Sequence, residues 1–209
     1  MESIRIVLAD DHRLLREGLL SLLGKASDCE VVADVGDGVA ALDAIREQRP
    51  DIAVLDHSMP GLTGLEVART VNAGHLPTRC VMLSSFSDPM LVAEMIRAGA
   101  RGYLVKEDAF DEVLAAIRAV AAGEIYFSVG IDVPKLKEAL QVLSITVREA
   151  EVLAGLIKGR SAREIADALG IGTRTVETYR NQLVAKFGAR NATDLVAKAI
   201  RSGFCEEER

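Results

Sequence analysis

IRIVLADDH, residues 4–12, is the stretch whose reading decides the fold. From Ile4 to Ala9 every residue but Arg5 is apolar, and the run ends abruptly in two neighbouring carboxylates, Asp10 and Asp11. A short apolar run of this kind fits a strand covered on both faces. Two like charges at its carboxyl end repel each other unless a cation shares the site.

The unit recurs along the first 122 residues. The runs IRIVLA, EVVADV, IAVL, CVMLSS and GYLV alternate with the helix-period segments RLLREGLLSLL, GVAALDAIREQ, LEVARTVNAG and PMLVAEMIRAG, and DEVLAAIRAVAAG closes the series. Five strand–helix units predict a doubly wound, five-stranded parallel sheet wrapped by helices through right-handed crossovers. Residues 124–143, EIYFSVGIDVPKLKEALQVL, lose the alternation and read as a linker with a helix in its second half. Beyond them the pattern is helical throughout. Thr146 with Glu149 and Ser161 with Glu164 form capping boxes, and Asn191 with Asp194 is a weaker version of the same signal. LGIG, 169–172, is the turn into a further helix from about Thr173 to Phe187. The expected organisation is a domain over 1–123, a linker over 124–143, a small all-helical domain over 144–205 and an acidic tail over 206–209.

Composition narrows the function classes. The chain has 209 residues and is 49% hydrophobic, yet no run approaches the roughly 18 apolar residues of a membrane span. The N-terminus lacks the order of a signal peptide, so a cytoplasmic protein with no membrane partner is expected. Cys29, Cys80 and Cys205 are far apart and lack CxxC spacing, which argues against a zinc site or a disulfide framework. The net charge of −6 is unevenly spread: residues 1–143 hold 14 Lys+Arg against 22 Asp+Glu, whereas residues 144–205 hold 10 against 6. A small basic module behind an acidic one points to a polyanionic partner.

In an open parallel sheet, ligands bind beyond the carboxyl ends of the strands where strand order reverses. There the first run ends in Asp10 and Asp11, the third in Asp56, the fourth in Ser84 and the fifth in Lys106. First and third strands are commonly neighbours, so the three carboxylates converge. An oxygen-seeking divalent cation relieves their repulsion, and Mg²⁺, which accepts a few carboxylates together with phosphate oxygens, suits the set. A carboxylate beside Mg²⁺ can attack phosphorus and become an aspartyl phosphate, with Lys106 and Ser84 as the supporting cation and hydroxyl.

These residues resemble the receiver domain of two-component response regulators, with its flavodoxin-like sheet, over residues 4–122. The match rests on Asp10-Asp11, on LDHSMPGLTG with Asp56 as acceptor, on Ser84, and on Lys106 after Gly102-Tyr103. The resemblance implies phosphoryl transfer to Asp56 from a phosphohistidine on a sensor histidine kinase. It implies Mg²⁺ held by Asp11, Asp56 and the backbone carbonyl of Ser58, with Asp10 supporting from behind. It makes Tyr103 a switch aromatic that turns inward with Ser84 and so favours a homodimer or frees the C-terminal module.

The back half resembles the LuxR-type helix-turn-helix of the NarL/FixJ branch, over roughly 145–200. The residues that carry this are T-x-R-E-x-E-V-L at 146–153, E-I-A at 164–166 and T-V-x-T-Y at 175–179. A helix-turn-helix lays its second helix in the DNA major groove. By that pattern Glu177, Thr178 and Asn181 face bases, while Arg174, Thr175, Tyr179, Arg180 and Lys186 contact the backbone. Val147, Gly172, Glu177 and Phe187 depart from the family pattern, as does Glu107, which follows Lys106 where many receivers have proline.

Blander readings stand beside these. Asp10-Asp11 alone could cap a helix, and His12, His57 and His75 read as bystanders. Among Leu14, Leu15, Leu19, Leu22 and Leu23, those unable to face inward leave a surface for dimerisation. A phosphatase with an aspartyl nucleophile would carry a D-x-D motif, but His57-Ser58 follows Asp56. The C-terminal helices could instead dock a protein or RNA.

Overall fold

The computed structural model describes residues 3–201, and its contacts divide the chain into two compact units between Ile131 and Asp132. Cys205 and the acidic tail at 206–209 lie outside the described residues.

The first unit is a parallel sheet in the order β2-β1-β3-β4-β5-β6. Its strands are β1 (Ile4–Ala9), β2 (Cys29–Val35), β3 (Ile52–Asp56), β4 (Arg79–Ser84), β5 (Ala100–Val105) and β6 (Tyr126–Phe127). The helices are α1 (Arg13–Leu23), α2 (Gly38–Gln48), α3 (Gly64–Ala73), α4 (Pro89–Arg97) and α5 (Ala109–Ala121). Side chains alternate faces along a strand, so each central strand serves two cores. Ile6, Leu8, Ile52, Val54, Val81, Leu83 and Leu104 are buried in one cluster with Leu19 and Leu23 of α1 and Val113 and Ile117 of α5. The alternate positions Val7, Ala53, Leu55, Met82 and Tyr103 are equally buried. That double burial is why these strands read as continuous apolar runs. In the leucine stripe of α1, Leu15 and Leu22 pack against the core, whereas Leu14 is 85% exposed.

The sheet has six strands where the sequence pattern predicts five. β6 is two residues long, too short to show any periodicity. It forms because β5 offers an unpaired edge: Tyr126 pairs with Gly102 and Phe127 with Tyr103. Thus the stretch expected as a linker contains a strand and then α6 (Val133–Leu143), with Pro134 in the first turn of that helix, where a missing N–H costs little.

The second unit comprises α6, α7 (Val147–Ile157), α8 (Ala162–Leu169), α9 (Thr173–Lys186) and α10 (Ala192–Arg201). Both expected capping boxes are present in full, Thr146 with Glu149 and Ser161 with Glu164. Asn191 caps the Asp194 amide at 2.9 Å, but the Asp194 carboxylate bonds the Arg190 amide rather than that of Asn191. Aspartate is one methylene shorter than glutamate, which is why the reciprocal box does not close. Gly170, at φ 65°, makes the left-handed turn that ends α8. Val152, Leu153, Ile165, Val176, Leu183, Phe187 and Leu195 form this unit's own core.

Cys29 and Cys80 are free, and burial pushes the Cys80 thiol up to about 12, leaving it inert at neutral pH. Among the described residues no helix is long and apolar enough to cross a membrane.

Candidate functional site

The sheet's topology places the site. Strand order reverses between β1 and β3, and the chain leaves both strands there through carboxylates. Asp10 is fully buried and Asp56 is 2% exposed. Lys106, reached from the end of β5, holds Nζ 3.0 Å from Asp10 Oδ2 and 3.0 Å from Asp56 Oδ2. Those two oxygens are close enough to pair in charge, yet neither receives a well-directed hydrogen bond. The remaining contacts fix the loops: Asp10 Oδ1 accepts from the His12 amide at 2.7 Å, and Asp56 Oδ1 from the Ser58 amide at 3.3 Å. One oxygen from each of Asp10, Asp11 and Asp56, with a ring nitrogen of His12, all lie within 4.8 Å of one another. Asp11 reaches this cluster from the exposed side.

Electrostatics follow from that crowding. Burial raises the Asp56 carboxyl above its ordinary range and the Asp10 charge adds to it, against the opposing pull of Lys106. Burial works to lower the Lys106 ammonium, but the two carboxylates close beside it, Asp10 and Asp56, outweigh it and the group is raised. One ammonium only partly neutralises two buried carboxylates, so the cluster retains capacity for more positive charge.

A cavity of about 120 Å³ opens over the cluster, lined by Asp11, Asp56, Ser58, Ser84, Phe86 and Lys106 among others. Ser84, buried at the end of β4, accepts from the Phe86 amide at 3.2 Å. Tyr103 is fully buried, and its hydroxyl donates to the Phe86 carbonyl at 2.6 Å. Burial raises this phenol, with the Ser84 hydroxyl bonding against the trend and the charge of Asp88 adding to it. Close packing sets the floor beneath Asp56: a Cβ on Gly64 would stand 2.2 Å from the Asp56 carbonyl oxygen.

Sequence reasoning missed two neighbours of the cluster. His12, read as a surface bystander, is exposed but lies 3.1 Å from Asp11 Oδ1. Arg16 donates to the Asp10 carbonyl and lies 3.3 Å from Asp34 Oδ1. Arg16 could have been found from its place one helical turn after His12, on the inward side of α1. His57 also lines the cavity, and its buried Nδ1 has no hydrogen-bond partner.

In the second unit α9 begins at Gly172 with no side-chain cap, and the Thr175 amide bonds back to the Gly172 carbonyl at 2.9 Å. Arg174, Thr175, Thr178 and Asn181 are exposed, while Glu177, Tyr179 and Arg180 are half-buried. Glu177 pairs with Arg180 one turn on, which offsets the acidic departure from the family pattern. Lys186 Nζ lies 2.7 Å from Glu149 Oε2 and 3.1 Å from the Ser144 carbonyl, which holds α9 to the start of α7.

The family model for response regulator receiver domains matches residues 6–118, and that for bacterial regulatory proteins of the luxR family matches residues 143–199. The chain belongs to the response-regulator family. It is a DNA-binding transcriptional response regulator of a two-component system, a family of regulators rather than classical enzymes. Relatives include the "Probable transcriptional regulatory protein NarL" of Mycobacterium tuberculosis, 34% identical over 96% of this chain and 95% of that protein. The oxygen regulatory protein NreC of Staphylococcus aureus is 31% identical over 97% of this chain and all of that one. Among solved structures, the signal receiver domain of M. tuberculosis NarL superposes with a TM-score of 0.58 at 38% identity, covering 59% of this chain and all of that one. The response regulator ChrA of a heme-sensing two-component system aligns over 98% of this chain and all of its own, at TM-score 0.51 and 29% identity.

Proposed function

We propose that this response regulator is switched by phosphorylation of Asp56, with a sensor histidine kinase as donor and duplex promoter DNA as target. The observation that carries the reading is Lys106 Nζ placed 3.0 Å from both Asp10 and Asp56 at the reversal of strand order. Mg²⁺ fits the cluster, because the buried oxygens of Asp10 and Asp56 lack directed hydrogen bonds and oxygen donors are the ones this ion prefers. Asp11, Asp56 and the Ser58 backbone carbonyl would hold it, with Asp10 supporting them. Bound there, it supplies positive charge to the phosphoryl oxygens.

The chain's own groups account for the rest. The Asp56 carboxylate attacks phosphorus, the bond from phosphorus to the donor imidazole nitrogen breaks, and an acyl phosphate remains on Asp56. The Lys106 ammonium, already beside the acceptor, offsets the spreading negative charge. The Ser84 hydroxyl, whose oxygen accepts from the Phe86 amide, donates its hydrogen to a phosphoryl oxygen. Tyr103, whose ring lies inside and bonds the Phe86 carbonyl, couples that contact to the segment entering α4. Phosphorylation stabilises this arrangement and reshapes the α4 face in favour of a homodimer. Paired modules then gain effective concentration on DNA.

On DNA, α9 enters the major groove with Glu177, Thr178 and Asn181 toward bases and with Arg174, Thr175, Tyr179 and Arg180 toward phosphates. Lys186 is omitted because Glu149 occupies it. The protein acts in the cytoplasm. Acetyl phosphate with Mg²⁺ is expected to add one phosphoryl group to the wild type and none to Asp56→Ala. Equal labelling of the variant would remove Asp56 as acceptor.

A further inference from the structure

Ser128 stands just after β6, in the stretch that the sequence presents as linker, and it is 2% exposed. Each of its polar groups has a partner. Its amide donates to the Tyr103 carbonyl at 2.9 Å, and its carbonyl accepts from the Ile131 amide at 3.0 Å. Its hydroxyl accepts from the Val105 amide at 3.0 Å and donates to Glu112 Oε2 on α5 at 2.5 Å. The other Glu112 oxygen accepts from the Val129 amide at 3.3 Å. One residue therefore grips β5 twice, at Tyr103 through its amide and at Val105 through its hydroxyl, and the residue after Val105 is Lys106.

We propose that Ser128, held by Glu112, is a positioning residue for the phosphoryl site: it fixes the outer edge of β5 where that strand delivers Tyr103 and Lys106. β5 has β4 on one side, and β6 covers its other edge only at Gly102 and Tyr103. The Val105 amide lies beyond that ladder and depends on the Ser128 hydroxyl. A buried amide left without an acceptor is costly, and the strand end would shift to find one. Lys106 must hold Nζ between two carboxylates, so displacement of its own backbone passes directly into the site. The accepting carboxylate of Glu112 orients the hydroxyl hydrogen away from Val105, so that the lone pair faces the amide. Residues 124–131 thus belong to the receiver's working parts.

This inference rests on Asp56 being the acceptor, and the experiment separates the two. Full-length wild type, Ser128→Ala, Ser128→Thr and Glu112→Gln are compared at a temperature where circular dichroism shows all four folded. Amide hydrogen exchange at Val105 is read first, since it requires no phosphorylation. Exchange is expected to quicken by about tenfold or more in Ser128→Ala and to return toward wild type in Ser128→Thr, which keeps the hydroxyl. Labelling by acetyl phosphate with Mg²⁺ is expected to slow by about tenfold in Ser128→Ala, the scale of a sub-ångström misplacement, to fall less in Glu112→Gln, and to recover in Ser128→Thr. Wild-type exchange at Val105 or wild-type labelling in Ser128→Ala overturns the proposal, as does failure of threonine to rescue either. Labelling that survives in Asp56→Ala instead overturns the assignment of the acceptor, and the exchange result then decides the structural half alone.

Discussion

Asp56, the proposed acceptor, sets function against stability within one side chain. Its carboxyl is raised by burial and by the neighbouring Asp10 charge, so its ionised form costs the folded state stability at neutral pH. That cost is complete above the raised value, fades as pH falls through it, and is absent below the ordinary 3.8. Asp56→Asn removes the charge while keeping the shape. In chelator-treated protein we expect the variant to match or exceed the wild type at pH 7, by up to about 1–2 kcal/mol, while accepting no phosphoryl group. Urea unfolding across a pH series is the check: the advantage must shrink as pH drops toward the ordinary carboxylate range, and an advantage independent of pH would exclude repulsion as its source.

Two elements lend themselves to a direct test. The start of α3 abuts β3 so closely that only hydrogen fits at Gly64, where a Cβ would stand 2.2 Å from the Asp56 carbonyl oxygen and 2.8 Å from Met82 Cε. Gly64→Ala is expected to lower the stability of the first unit by about 2 kcal/mol or more and to slow labelling, since the helix must retreat or the strand end must bend. Thermal unfolding together with acetyl phosphate kinetics would show it, and an alanine variant unchanged in both would contradict the close approach. In the second unit Glu149 joins two roles, closing the capping box with Thr146 and pairing with Lys186 of α9. Desolvation works to raise Glu149, but Lys186 and Thr146 outweigh it and hold the carboxyl below its ordinary value of 4.5. This contribution to stability is full above 4.5 and is lost as pH falls through the depressed value. Glu149→Gln should therefore cost about 1–2 kcal/mol at pH 7, discounted for the partly exposed lysine, and progressively less in acid. Denaturant titration of the variant at pH 7 and pH 3 reads the difference.

Across the whole molecule, charge and architecture divide the work. Residues 1–143 carry a net −8 and residues 144–205 a net +4, so attraction to polyanions belongs to the second module. Binding to a duplex promoter should weaken steeply with salt. Arg174→Ala is expected to weaken all sequences alike and to reduce the slope of log K against log salt by about 1, whereas Asn181→Ala should relax choice at one base position and leave the slope intact. Fluorescence anisotropy over a salt series, on operator and scrambled duplexes, separates the two. A variant of Arg174 that altered preference without changing the slope would move that residue from phosphate to base.

Much of this was legible in the linear chain because its signals are local. Strands buried on both faces need continuous apolar runs, Thr146 and Ser161 announce their helices with glutamates three residues on, and the site residues stand at strand ends that topology must bring together. Other features had no local signal. A two-residue β6 has no period to detect; it exists because the edge of β5 needs a partner. That Lys186 answers Glu149, 37 positions away, and that Ser128 answers both Val105 and Glu112, could not be read from spacing. Composition and pattern determined which layers form and which chemistry gathers at the sheet's rim. Tertiary packing alone decided which buried donor meets which acceptor, since that choice depends on distances between segments that the order of residues does not encode.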